Sequence, residues 1–371
     1  MTCPNCGNEV PEGTYCVVCG IRFSEGGGAG AKRGYSAAPN QSVLRPAPLT
    51  TLFPQLPPAE MTNFYAALAV GTIVMVVLAL FGLFPLAIVA AAVLVPLITV
   101  VYVYDIDVYE DEPIRVIGLT MLAGAIAGAI VGVLGRVWVP SGTISLIDQG
   151  SSAGLIRSIV LPTIALLLAL VGPALLLRYE RFNDVLDGVT FGVAAAVCCA
   201  GAQLLVQAGP LFSAGLRPGG DVLDWIVRLL SAGIATPLLF AGAIGAAGGV
   251  LWLRYRAPVR DRHILGPLGN PIVAVVLAAV VLVLGAAALE YLNQWLSLVA
   301  MIVLDVIALI TLRAIIHLGL MQEAAERAIG PDVTCPNCGQ QTPHHTFCSN
   351  CGYSFAALPK TGAGSSEMRR T

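Results

Sequence analysis

Residues 271–289 read PIVAVVLAAVVLVLGAAAL, nineteen consecutive positions without a charged side chain. About 20 apolar residues in a helix cross the hydrocarbon of a bilayer, so this stretch reads as a transmembrane segment. Working outward in both directions, stretches of the same character lie near 63–83, 85–104, 116–138, 158–177, 185–206, 229–253 and 295–316. The whole chain agrees: 57% of its 371 residues are hydrophobic and 11% are charged, against about 25% charged in a soluble domain. The fold class expected is an all-α polytopic membrane bundle of about eight transmembrane helices, with the lipid bilayer as its first partner. A formal net charge of -2 offers no basic field, so no nucleic-acid partner is expected. The opening Met1-Thr2-Cys3-Pro4 lacks a charged stretch leading into an apolar core, so no cleaved signal peptide is expected.

Both ends of the chain carry cysteine pairs. The first set is Cys3-Pro4-Asn5-Cys6, nine residues, then Cys16-Val17-Val18-Cys19; the second is Cys335-Pro336-Asn337-Cys338, nine residues, then Cys348-Ser349-Asn350-Cys351. Four thiolates at this spacing suit tetrahedral zinc, each Cys-x-x-Cys turn supplying two ligands. Gly7, Gly20, Gly339 and Gly352 follow the second cysteine of every pair, where a tight turn calls for positive φ. The reading is two structural Zn2+ sites, with ligands Cys3, Cys6, Cys16 and Cys19, and Cys335, Cys338, Cys348 and Cys351. Four protein ligands leave no open position for catalysis, and the metal stands in for a core that so short a segment cannot build. His344 and His345 read as surface residues. Such ribbons resemble the zinc-ribbon modules found at the ends of bacterial membrane proteins.

The domains expected are an N-terminal ribbon at 1–23, a Gly/Pro-rich linker at 24–61, a transmembrane domain at 62–320, a C-terminal ribbon at 332–356 and a disordered tail at 357–371. The linker is expected to decouple the first ribbon from the bundle, so that Cys16→Ser unfolds that ribbon alone. An even number of spans puts both ends on one face. Arginine in short loops marks the cytoplasmic side, and Arg254, Arg256, Arg260 and Arg262 share one loop while Arg178 and Arg181 share another. The expected localisation is the cell membrane, multi-pass, with both termini cytoplasmic, where the thiols also stay reduced.

Within the spans, Gly124, Gly128 and Gly132 recur every four residues, and Gly245 with Gly249 repeats the spacing. Small residues so placed let helices approach closely in lipid, here read as packing within the bundle. Cys198 and Cys199 read as small packing residues. Asp305, mid-span, is expected to face the interior, and Asp187 to mark a helix start.

Two segments carry a family resemblance: Tyr104-Asp105-Ile106-Asp107-Val108-Tyr109-Glu110-Asp111-Glu112-Pro113, and Arg181-Phe182-Asn183-Asp184-Val185-Leu186-Asp187-Gly188-Val189-Thr190-Phe191-Gly192. Together with the order of spans, they resemble the PrsW-type intramembrane proteases, bacterial polytopic proteins. The resemblance implies a Glu-Glu-x-x-Lys motif, a later Phe-x-x-x-Glu and two histidines. Aligned on Phe182 and Gly188, the paired glutamates become Ile164 and Ala165, the lysine Leu168, the phenylalanine Cys199 and the later glutamate Gln203; the histidines fall near Pro237 and Leu289. No catalytic residue is therefore expected, since hydrolysis needs groups that exchange protons. The expectation is a PrsW-like pseudoprotease acting as a membrane scaffold or sensor, its ribbons engaging a cytoplasmic or membrane protein. The alternatives are an active peptidase of that family using displaced residues, Asp305, Glu290 and His317, and a transporter-like protein.

Overall fold

The computed structural model describes residues 1–3, 8–23, 34–54, 61–106, 113–139, 152–180, 182–213, 222–256, 266–267, 269–324 and 329–355. Cys6, Gly7, the first part of the linker, the acidic residues 107–112, Arg181, the arginines at 260 and 262 and the tail at 357–371 lie outside them. In chain order come a hairpin of β1 (Gly34–Tyr35) and β2 (Ala38–Ser42), then α1 (Pro48–Leu52), α2 (Met61–Leu80), α3 (Phe84–Ile106), α4 (Pro113–Trp138) and α5 (Ser152–Leu155). A π-turn at Ile156–Val160 joins α5 to α6 (Leu161–Leu176); α7 (Val185–Gln207) and α8 (Gly209–Ser213) follow. A second π-turn at Ser231–Ala235 joins α9 (Val222–Leu230) to α10 (Thr236–Tyr255), and α11 (Pro271–Tyr291), α12 (Gln294–Ala324), β3 (Asp332–Thr334) and β4 (Gln341–Pro343) complete the chain.

The molecule is a multi-pass helical membrane protein. Among the described residues, seven helices are long and apolar enough to cross a bilayer: Phe84–Tyr102, Arg115–Trp138, Ala153–Leu176, Val185–Gln207, Val222–Tyr255, Pro271–Tyr291 and Gln294–Leu320. Eight were expected from the sequence. The difference is α2, whose described apolar portion, Phe64–Leu80, is shorter. A Schellman turn stops it: Leu83 N–H donates to Leu78 O and Gly82 N–H to Ala79 O, both at 2.9 Å, with Gly82 at φ +73.

The bundle is turned outside in relative to a soluble protein. On α11 the small residues Ala274, Ala278, Gly285 and Ala288 are buried, while Ile272, Val276, Val280 and Leu284 are exposed. The same split on α12 buries Met301, Asp305, Ala308 and Leu312 and exposes Ile302, Val303, Val306 and Ile307. A continuous apolar exterior of this kind needs lipid around it.

Helices α7 and α10 form the centre, and small residues bring their neighbours onto them. A Cβ added to Gly124 would strike Ala195 O, and one added to Gly128 would strike Cys199 O, so α4 lies parallel to and nearly backbone-to-backbone with α7. On the other side Gly188 would meet Gly248 O at 2.6 Å and Gly192 would meet Ile244 O at 2.8 Å, the antiparallel contact with α10. The glycine repeats thus pack within the bundle, as expected. Gly128→Leu is expected to cost about 1–3 kcal/mol or more by overpacking, lowering the melting temperature in detergent. Gly118→Leu, where nothing lies within 4 Å of the added Cβ, is expected to leave it unchanged; equal effects at both sites would refute this account.

The segment that carries the family resemblance has a structural explanation. Asp187 Oδ2 accepts from Asp184 N–H at 3.2 Å, closing a capping box at the start of α7. Phe182 is buried edge-on to Phe191, centroids 5.1 Å apart, and its carbonyl accepts from Trp252 Nε1 at 3.2 Å. Phe182, Gly188 and Gly192 are therefore the residues that seat α7 on α10.

Candidate metal centres and membrane cavity

Four knuckles with one geometry form the terminal modules. In each, the residue before the first cysteine bridges the residue six after that cysteine: Thr2 with Glu9, Tyr15 with Arg22, Thr334 with Gln341 and Phe347 with Ser354. The first cysteine's N–H donates to the carbonyl five residues on, from Cys3, Cys16, Cys335 and Cys348 to Asn8, Ile21, Gln340 and Tyr353, at 2.8–3.0 Å. Gly20, Gly339 and Gly352 sit at φ 69, 71 and 72, as the sequence required.

The sulfurs of Cys335, Cys338, Cys348 and Cys351 all lie within 4.8 Å of one another, as do those of Cys3, Cys16 and Cys19; Cys6 lies outside the described residues. Sulfur separations are 3.7 Å for Cys3–Cys19 and 3.8 Å for both Cys335–Cys351 and Cys338–Cys348. A disulfide would need about 2.05 Å. A tetrahedron with metal–sulfur bonds of about 2.3 Å has an edge of about 3.8 Å, so the thiols stand where a metal would hold them. Burial pushes the Cys335 thiol up, and Cys351 and Cys348 push it the same way. A bound divalent cation reverses that balance by favouring thiolates.

The two modules, from opposite ends of the chain, pack together reciprocally. Tyr15 N–H donates to Ser349 O at 2.8 Å and Phe347 N–H to Val17 O at 3.0 Å; in each case the residue before a third cysteine bonds the residue after the other module's third cysteine. An added Cβ on Gly352 would meet the Tyr15 ring, and one on Gly20 would meet the Phe347 ring at 3.1 Å. His345 corrects the sequence reading. It is 3% exposed, with Nδ1 at 2.9 Å from Val17 O; a carbonyl can only accept, so Nδ1 carries the proton. His344 is exposed, as expected.

A second correction concerns the linker. Residues 34–54 fold onto the bundle, with Tyr35, Leu49, Leu52 and Phe53 buried in its main core. Their anchor is Arg313 of α12, fully buried. Its Nη1 donates to Thr50 Oγ1 at 3.0 Å and Thr51 Oγ1 at 3.1 Å, its Nη2 to Gln41 Oε1 at 3.1 Å, and its Cζ lies 3.8 Å from the Tyr35 ring centroid. One turn on, His317 Nδ1 accepts from Ser36 N–H at 3.1 Å. Reading the body for acids alone overlooks this pair. The signal was present: Arg313 and His317 are four apart, on the same face as Leu309, Leu312, Ile316 and Leu320.

At the end of the bundle opposite the terminal modules, two adjoining cavities of about 300 and about 150 Å³ share Arg157, Gln203, Gln207, Ala286 and Leu289. The larger adds Arg136 and Glu290; the smaller adds Leu239, Phe240, Leu282 and Met301. Both π-turns border this space, through Arg157 in one and Ala232 in the other, and π-turns concentrate at functional sites. Arg157 Nη1 pairs with Glu290 Oε1 at 3.1 Å. Gln203 Oε1 is buried without a hydrogen-bond partner among the described residues.

The family-derived positions divide. Gln203 and Leu289 line the cavity, while Ile164, Ala165 and Leu168 belong to the apolar cluster beside it, with Cys199 and Phe240. Pro237 is buried at the start of α10. Asp305 is buried, as expected, but lines neither cavity, and its Oδ1 has no partner among the described residues. Asp305, Glu290 and His317 do not form a site: Glu290 is paired to Arg157, and twelve helical residues, about 18 Å, separate Asp305 from His317. No protein-family model, curated protein or solved structure matches this chain.

Proposed function

We propose that this is a non-catalytic membrane protein of PrsW-like build, crossing the cell membrane eight times, whose two zinc ribbons form one cytoplasmic module for a protein partner. The observation that carries the proposal is the reciprocal packing of the ribbons. Joined by backbone hydrogen bonds, they hold both chain ends on one face, which favours an even number of crossings. With α2 included the count is eight: its 20 residues span about 30 Å at about 1.5 Å per residue, a bilayer core. Arg254 and Arg256 end α10 on the ribbon side, in keeping with a cytoplasmic face. Four thiolates at tetrahedral spacing support zinc, held for structure.

The non-catalytic part rests on the cavity. Glu290 is the one carboxylate among its described lining residues, and it is tied to Arg157; hydrolysis requires both an acid and a base. The test uses Tyr15→Ala with Phe347→Ala, which parts the ribbons while keeping all eight cysteines. A partner crosslinked to the intact protein in native membranes should be lost from this variant although it retains about two zinc ions per chain. A partner retained by the variant would exclude the paired module as its docking site, and peptide cleavage by purified protein would end the non-catalytic reading.

A further inference from the structure

We propose that the double cavity at the end of the bundle remote from the ribbons binds one anionic phospholipid with a hydroxyl-bearing headgroup. The phosphodiester would sit at Arg136 and Arg157, and an acyl segment would fill the apolar chamber beyond. Three features lead there.

Charge is the first. Among the described residues, the larger chamber is lined by two guanidinium groups and one carboxylate, from Arg136, Arg157 and Glu290. Glu290 balances Arg157, and no carboxylate pairs with Arg136 among the described residues. The surplus of one positive charge matches a phosphodiester, which carries one negative charge, better than a monoester, which carries up to two.

Polarity by depth is the second. The shared wall leads from the arginines past Gln207 and Gln203 to Leu239, Phe240, Leu282 and Met301. Arg136 ends α4, Arg157 begins the α5–α6 unit and Glu290 ends α11, so the charged mouth lies at the ends of membrane-crossing helices, at headgroup depth. A soluble anion would have no use for the apolar chamber.

The third is Gln203. Its Oε1 is buried and unpartnered among the described residues, and an orphaned buried acceptor is costly. It asks for a donor on the ligand close beside the phosphate. A headgroup hydroxyl supplies one; a choline headgroup has none to give.

The test places the full-length protein in nanodiscs of phosphatidylcholine, alone or doped with phosphatidylglycerol or with phosphatidylmethanol, an anionic phosphodiester lacking the hydroxyls. Native mass spectrometry counts retained lipids and thermal unfolding reads linked stabilisation. The expected result is one retained phosphatidylglycerol per chain and a higher melting temperature than with phosphatidylmethanol. Arg136→Gln should weaken retention by about tenfold, the loss of one charge-assisted contact. Gln203→Leu should make phosphatidylglycerol and phosphatidylmethanol equivalent. Three outcomes would overturn the proposal: equal effects of Arg136→Gln and of Arg254→Gln at the opposite end, which would mean general attraction to an anionic surface; equal retention of the two anionic lipids by the unaltered protein; or full stabilisation by soluble glycerol phosphate, which would assign the site to a free anion.

Discussion

Cys348→Ser is expected to release both ribbons, not one. The substituted module loses a thiol from a set that could hold a metal ion, and a metal so held would supply most of its folding free energy, an apparent contribution of about 10–16 kcal/mol in zinc-finger peptides. Its partner then loses the Ser349 carbonyl that accepts from Thr14 and Tyr15, the buried His345 and the Phe347 ring over Gly20. Amide hydrogen exchange should therefore accelerate across 14–22 as well as 335–354. Chelation should do the same, and so should acidification, since protons compete with metal for the thiolates. Unchanged exchange at 14–22 in the Cys348→Ser protein would show that the N-terminal ribbon stands alone, which is what a decoupling linker implies and what the interlocked geometry contradicts.

Replacing Arg313 by alanine is expected to free residues 35–53 from the bundle while leaving its central helices intact. Arg313 makes three hydrogen bonds from a fully buried position and stacks on Tyr35. Bonds to a charged donor contribute about 1.5–3 kcal/mol each, so the loss should exceed about 3 kcal/mol locally. Arg313→Lys should recover only part of it, because a lysine cannot present a planar fork to Thr50, Thr51 and Gln41 together. Limited proteolysis between 34 and 54 should become rapid in the alanine variant, with α7 and α10 still protected from exchange. A segment that stays protected would show that its apolar contacts, from Leu49, Leu52 and Phe53, suffice without the arginine.

What the sequence made legible follows from which forces leave a local signature. Apolar runs, glycine repeats and cysteine spacing are periodic and local, and each could be read before any coordinates: seven of the eight expected spans, close packing at Gly124 and Gly128 though not its partner helix, and the sulfur clusters. The exposed His344 and the cap at Asp187 are equally local. Long-range pairing leaves no such trace. Nothing near Pro46, Pro48 or Pro54 says that Thr50 and Thr51 meet an arginine more than 260 positions away, so the proline-rich segment reads as a linker. His345 looks like any polar loop residue until Val17 arrives from the other end of the chain. The far-end cavity was half visible: the resemblance pointed to Gln203 and Leu289, but not to Arg136 and Arg157, which stand in sequence only as charges at the ends of spans.

The reciprocal clasp also sets a clock on biosynthesis. Gly20 leaves the ribosome about 330 residues ahead of Phe347, the ring that covers it. At about 5–20 residues per second, the newborn N-terminal ribbon waits on the order of tens of seconds, with every membrane helix inserted in the interval, before its other half exists. During that wait Tyr15, Val17 and Gly20 lack the Ser349, Phe347 and Gly352 that cover them. Early capture of metal by Cys3, Cys6, Cys16 and Cys19 would hold the first module folded until residues 335–354 are translated.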